Sequence, residues 1–165
     1  MNNAIMKEIM YTIKQGDFNG FKKLIEDNPD SLNIMTPFGT WLHVATRQGQ
    51  LEMVKYLVQK GVDINKRGGV FDGSAINLAA AYGKIEIVKY LISKGAILDV
   101  SLARRNPLFN AIQGGHIDIV KYLIEKGIDI KATYEIGSLE NVGAYEFAVE
   151  FGQLEIADYI KEKLN

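Results

Sequence analysis

The segment Ile85-Glu86-Ile87-Val88-Lys89-Tyr90-Leu91 decides how the chain is read, because it occurs more than once. It matches Leu51-Glu52-Met53-Val54-Lys55-Tyr56-Leu57 upstream and Ile117-Asp118-Ile119-Val120-Lys121-Tyr122-Leu123 downstream. Degraded copies run from Phe18 to Leu24 and from Leu154 to Ile160. A glycine stands two residues before each copy, at Gly16, Gly49, Gly83, Gly115 and Gly152, with intervals of 33, 34, 32 and 37 residues. A second glycine follows twelve residues after the first in three copies, at Gly61, Gly95 and Gly127. Asn28 takes that place in the first copy and is expected to form a left-handed helix cap there. A fixed period of this length marks a stack of short repeated units.

Each unit reads as two helices. Ile85, Val88, Leu91 and Ile92 recur at helical spacing, which predicts a helix from about Lys84 to Lys94. A shorter one is predicted over Ser74 to Tyr82, ending at Gly83. Helices this short cannot bury their apolar faces alone, so neighbouring units must stack.

The plan resembles the ankyrin repeat family. Thr40-Trp41-Leu42-His43-Val44-Ala45 resembles that family's Thr-Pro-Leu-His-x-Ala opening, and Asn106-Pro107-Leu108-Phe109-Asn110-Ala111 keeps the Pro, Leu and Ala. Gly61-Val62-Asp63-Ile64-Asn65 and Gly127-Ile128-Asp129-Ile130 resemble its Gly-Ala-Asp-Val-Asn exit. The resemblance is strong from about residue 33 to 131. It implies an all-α helix-turn-helix solenoid with projecting β-hairpin or loop fingers. A single domain over 1–165 is expected, with units near 1–32, 33–65, 66–99, 100–131 and 132–165. The outer two read as caps. Lys7, Lys14, Lys22 and Lys23 make the first polar, and Lys161 to Asn165 do so at the end. This makes a complete array the expectation.

Composition narrows the function classes. The 165 residues are 47% hydrophobic and 24% charged, and the formal net charge is −1. These are values of a folded globular chain. A dedicated nucleic-acid binder carries a basic excess, so that class is disfavoured. There is no cysteine, which rules out thiolate catalysis and cysteine-based zinc sites and fits a reducing compartment. The first residues lack the basic region and unbroken apolar run of a secretion signal. No run approaches the length of a transmembrane helix. A cytoplasmic protein without membrane contact is expected.

Catalysis finds no footing. His43 and His116 fall where the resembled pattern itself places histidine, so loop-bracing hydrogen bonds are expected of them. No Ser-His-Asp arrangement, His-Glu-x-x-His or phosphate loop appears. Gly68-Gly69 and Gly114-Gly115 read as turn and cap glycines. No cofactor and no metal are expected. Lys55, Lys89 and Lys121 follow Glu52, Glu86 and Asp118 by three residues, as ion pairs on a solvated outer face. Tyr56, Tyr90, Tyr122 and Tyr159 form a parallel ladder, expected to stack between units. Asn110 replaces an apolar residue and needs a partner for its amide.

Binding residues should be those where the copies differ, because framework positions must match to stack. The resemblance implies a concave face built from the first helices and the fingers. Arg47, Gln48, Tyr82, Gln113 and Phe151 precede the helix-ending glycines there. Phe38, Trp41, Val70, Phe71, Asp72, Leu102, Arg104 and Arg105 lie in or beside the finger tips, in segments expected to be exposed. The longest connection, between Gly127 and Ala148, carries Tyr134, Glu135, Leu139 and Glu140. Aromatic and arginine side chains dominate interface energetics. The central fingers are basic and the last unit is acidic, which favours a partner with complementary charge.

The resemblance therefore implies a non-catalytic module that binds another protein, as a monomer. A homodimer through Phe38, Trp41 and Phe71 is the alternative. A narrower form is a small inhibitor, such as an immunity protein that neutralises a bacterial toxin. Nucleic-acid binding through the arginine-bearing fingers ranks below these.

Overall fold

The computed structural model describes residues 3–69 and 72–165. Helices come in five successive pairs: α1 (Asn3–Gln15) with α2 (Phe18–Asp27), α3 (Trp41–Arg47) with α4 (Leu51–Gln59), α5 (Ala75–Ala81) with α6 (Ile85–Ser93), α7 (Pro107–Gln113) with α8 (Ile117–Glu125), and α9 (Ala144–Glu150) with α10 (Leu154–Leu164). The first helices of successive pairs pack on one another, and so do the second helices, giving two rows. This is the all-α solenoid expected from the repeat.

The rows are held by apolar positions that recur. Val54 and Leu57, Val88 and Leu91, and Val120 and Leu123 are fully buried on the second helices. Full burial of one such leucine contributes about 1.5–3 kcal/mol. Ala45, Ala79, Ala80, Ala111 and Ala148 are equally buried on the first helices, where a small side chain lets backbones approach. On α6 the deepest residues are Ile87, Val88 and Leu91, with Ile85 and Ile92 half-buried at the edges of the stripe.

Four of the first helices have seven residues each, too short to stand alone. Their first turns are capped locally. The Thr40 amide donates to His43 Nδ1, the Ser74 amide to Asn77 Oδ1, and the Gly143 amide to Glu146 Oε2. In α7 the equivalent third position is Phe109, which cannot accept. There the cap residue itself acts: Asn106 Oδ1 accepts from the Leu108 amide, and Pro107 opens the helix.

The five glycines at the ends of the first helices have φ between 68° and 74°. That is the left-handed conformation for which glycine is the cheapest residue. Gly83 is further fixed by packing, since a Cβ there would lie 2.7 Å from His116 Cε1. Asn28 departs from expectation. Its φ is −134°, and it caps α2 through its side chain, with Nδ2 donating to the Leu24 carbonyl. Pro29 follows directly and pushes the preceding residue toward extended backbone.

The fingers differ from one another. Thr36 and Gly39 form a minimal bridge, as do Gly68 and Gly73. Only the last connection builds paired strands among the described residues, β1 (Tyr134–Ile136) and β2 (Leu139–Val142), antiparallel around Gly137-Ser138. The longest connection is thus a defined hairpin.

Candidate protein-binding groove

The tip at Thr36–Gly39 is held tightly. The Thr36 hydroxyl donates to the Gly39 carbonyl and accepts from the Phe38 amide, while the Thr36 and Gly39 amides bond across the turn. Phe38 therefore projects from a rigid turn with its side chain half in solvent, at 51% exposure. The next finger packs directly behind it. A Cβ on Gly69 would lie 3.1 Å from the Phe38 carbonyl oxygen, and one on Gly68 would lie 2.9 Å from Met35 Sδ. The expected turn role of Gly68-Gly69 is therefore joined by a packing role between fingers.

Below the tips, the ends of α3, α5 and α7 come side by side. Arg47 ends α3, and its guanidinium carbon lies 5.2 Å from the centre of the Tyr82 ring at the end of α5. This is a cation–π contact between neighbouring units. Phe38, Arg47, Tyr82, Arg104 and Gln113 line one hollow of about 370 Å³, together with Leu78 and Ala81 on its apolar side. Asn77 and Asn110 form its polar floor. Asn77 Nδ2 donates to Asn110 Oδ1 at 2.8 Å and to the Arg105 carbonyl, and Asn110 Nδ2 reaches the Arg104 carbonyl. The amide at position 110 is satisfied, as its polarity required.

Several of the sequence-selected residues lie elsewhere. Trp41 is a correction: it was expected at an exposed tip, yet its exposure is 0% and Nε1 donates to the Ser31 carbonyl. It opens α3, where the large indole fills the space between the first two units. Arg105 is a second correction. Its side chain is largely buried and pairs with Asp72, so its charge is compensated within the framework. That hydrogen bond, and then the nearby arginine charges, hold the Asp72 carboxyl below its usual range. Arg104 beside it stays exposed. Gln48 caps α3 and is exposed, and Leu102 lies at the margin of its finger. Val70 and Phe71 lie outside the described residues.

Tyr134, Glu135, Leu139 and Glu140 sit apart on the β1–β2 hairpin. Tyr134 faces inward more than expected, with its ring 4.9 Å edge-on from Phe109. Phe109 continues to Phe147 and then to Phe151 at ring distances of 4.7 and 4.5 Å, so Phe151 is the surface end of an internal aromatic row. Sequence reading missed that row because Phe109 comes from one unit and Tyr134, Phe147 and Phe151 come from the next.

Sequence reading also missed a second hollow, of about 410 Å³, between α1 and the Phe38 turn. Met6, Lys7, Met10, Tyr11 and Lys14 line it from α1. The signal was present as a 3–4 residue spacing within α1, but Lys7 and Lys14 were read as part of a polar cap.

The histidines brace the framework. His43 Nδ1 accepts from the Thr40 amide, which leaves Nε2 protonated to donate to the Gly73 carbonyl at 3.0 Å. Burial lowers its pKa from 6.5. His116 Nε2 lies 3.1 Å from the Ala81 carbonyl. Among the described residues, no cluster of three or more His, Asp or Glu could hold a metal ion. Among them, too, no helix is long and apolar enough to cross a membrane.

On the second helices, Lys55 and Lys89 pair with Glu52 and Glu86 at 2.8 and 2.9 Å. Lys121 instead lies over the Tyr159 ring of the next unit. Tyr56 packs edge-on against Phe18 and Phe21 of the preceding unit, and Tyr90 and Tyr122 lie half-buried in the same row.

Residues 9–101 and 67–134 match the family model described as Ankyrin repeats (3 copies). A 70-residue stretch is 37% identical to Ankyrin repeat and SAM domain-containing protein 6 of Rattus norvegicus. The corresponding protein of Mus musculus is 36% identical over the same length. The match covers 42% of this chain and 8% of each relative, so only a small part of their length is shared. With the paired-helix stack, the glycine turns and the His43 brace all in place, this chain belongs to the ankyrin repeat family.

Proposed function

We propose that this chain is a non-catalytic module that binds a partner protein on the face formed by the first helices and the fingers, as a cytoplasmic monomer. Repeats of this family are generally protein–protein interaction modules. One observation carries the assignment to this face. Phe38, Arg47, Tyr82, Arg104 and Gln113 differ from their counterparts in other units, yet they converge on one hollow. The apolar positions that match between units, such as Val54, Val88 and Val120, are buried in the stack instead. Aromatic and arginine side chains at the centre of a hollow suit a hot spot ringed by polar groups. The absence of cysteine supports the cytoplasmic placement. An inhibitor or immunity protein is a narrower form of the same reading, and the identity of the partner decides it.

The test is photo-crosslinking in the native host. A photoreactive phenylalanine derivative replaces Tyr82 in one version and Lys89, on the second-helix row, in another. A protein adduct from position 82 and none from position 89 is expected. Adducts from position 89 alone would move the interface to the opposite face.

A further inference from the structure

Phe38 stands between the two hollows and lines both. Among the described residues, four lining side chains are cationic: Lys7, Lys14, Arg47 and Arg104. Among the described residues no carboxylate lines either hollow. None of the four cations has an ion-pair partner among the described residues. This is a local excess in a chain whose formal net charge is −1. The opposite end balances it. Residues 132–165 carry seven carboxylates and two lysines, a sum of −5, which leaves +4 for residues 1–131. Three exposed rings mark the same stretch, Tyr11, Phe38 and Tyr82, with Met6 and Met10 beside the first.

We infer that the two hollows form one track, and that it receives an extended acidic segment of a partner protein bearing large apolar side chains, laid across Phe38. This rests on the proposal that this face binds protein. Covering four unpaired cations removes them from water at a cost, and only a ligand that supplies carboxylates offsets it. The apolar lining from Met6, Met10, Phe38, Leu78 and Ala81 needs apolar side chains on the same segment. A nucleic acid fits less well. Its charge is continuous, and the row of first helices continues into α9, which carries Glu146 and Glu150. A short acidic segment ends before reaching it.

The test pans a random peptide library, roughly twelve residues long, against the full chain. Enriched peptides are synthesised and their affinities measured by fluorescence anisotropy. The expected result is an excess of Asp and Glu with at least one large apolar residue. Affinity should fall about tenfold or more in Arg47→Glu/Arg104→Glu, and again in Lys7→Glu/Lys14→Glu. Arg47→Lys/Arg104→Lys should retain most of it. Circular dichroism verifies that each variant folds. Enriched peptides without acidic excess, or loss in only one of the two charge-reversed pairs, would overturn the track. Peptides lost on Tyr82→Ala but indifferent to both charge reversals would also overturn it, while leaving the protein-binding face intact. Peptides indifferent to Tyr82→Ala and to the charge reversals would overturn both. No enrichment at all, or tighter binding of an oligothymidine than of any peptide, would overturn the acidic-segment assignment.

Discussion

The Tyr134 hydroxyl accepts a hydrogen bond from Asn106 Nδ2 at 2.9 Å and thereby ties the last hairpin to the start of α7. The same hydroxyl donates to the Val100 carbonyl at 2.7 Å. Asn106 is fully buried, and its other side-chain atom caps α7 through the Leu108 amide. Tyr134→Phe keeps the ring against Phe109 but leaves a buried Asn106 donor and the Val100 acceptor without their partner. A loss of about 1–3 kcal/mol is expected. Chemical denaturation followed by circular dichroism reads it. An unchanged midpoint would mean that the hydroxyl contributes nothing net.

Trp41 is a buried framework residue, and its substitutions should report on the packing between the first two units. Trp41→Phe removes the bond to the Ser31 carbonyl and part of the ring volume, whereas Trp41→Ala opens a cavity and costs about 3–5 kcal/mol. The phenylalanine variant should fold with a smaller loss than the alanine variant, read by chemical denaturation. It is the only tryptophan, so wild-type fluorescence should be blue-shifted and shift red on unfolding. A solvent-like emission from the folded chain would contradict its burial.

The period, the paired helices and the glycine turns were legible because they repeat: each copy tests the others. What one copy does alone was harder to read. Trp41 looked like a finger-tip residue because its slot usually holds proline, and nothing local signalled the cavity between the first two units. Arg104 and Arg105 are adjacent and chemically alike, yet one is exposed and the other is paired with Asp72 from the previous finger. That distinction depends on a contact 33 residues away in sequence. The Asn106–Tyr134 bond and the second hollow beside α1 are likewise products of stacking. The third position of the first helices was partly readable: His43, Asn77 and Glu146 are different residues but all can accept a hydrogen bond, and Phe109 is the exception that calls for Asn106.

Phe38 and Gly39 are neighbours with opposite expected behaviour. Phe38→Ala removes an exposed ring and should change stability by no more than about 0.5 kcal/mol. Gly39 has φ of 95°, and a Cβ there would lie 2.6 Å from His43 Cγ. Gly39→Ala combines backbone strain with a clash against a buried ring and should cost about 1–3 kcal/mol. Thermal unfolding of the two variants side by side compares them. Equal midpoints would show that the turn is not rigid and that Phe38 is not held in place by it.

His43 should make stability depend on pH just below neutrality. Its folded pKa lies below 6.5 because burial disfavours the imidazolium, a shift that the Gly73 hydrogen bond only partly opposes. As pH falls through 6.5, the unfolded chain takes up a proton that the folded chain resists. The unfolded state then binds more protons, so stability declines with falling pH across the interval down to the folded pKa. Protonation at Nδ1 would also set a donor against the Thr40 amide and break the cap. Asn77 shows that an asparagine can serve the same position, accepting from the Ser74 amide at 3.0 Å. His43→Asn should therefore fold, lose some stability at pH 7.5 with the bond to Gly73, and lose less than wild type on going to pH 5.5. Carboxylate titrations are common to both chains and cancel in the comparison. Parallel slopes for the two proteins would show that His43 takes up its proton in the folded state as readily as in the unfolded one.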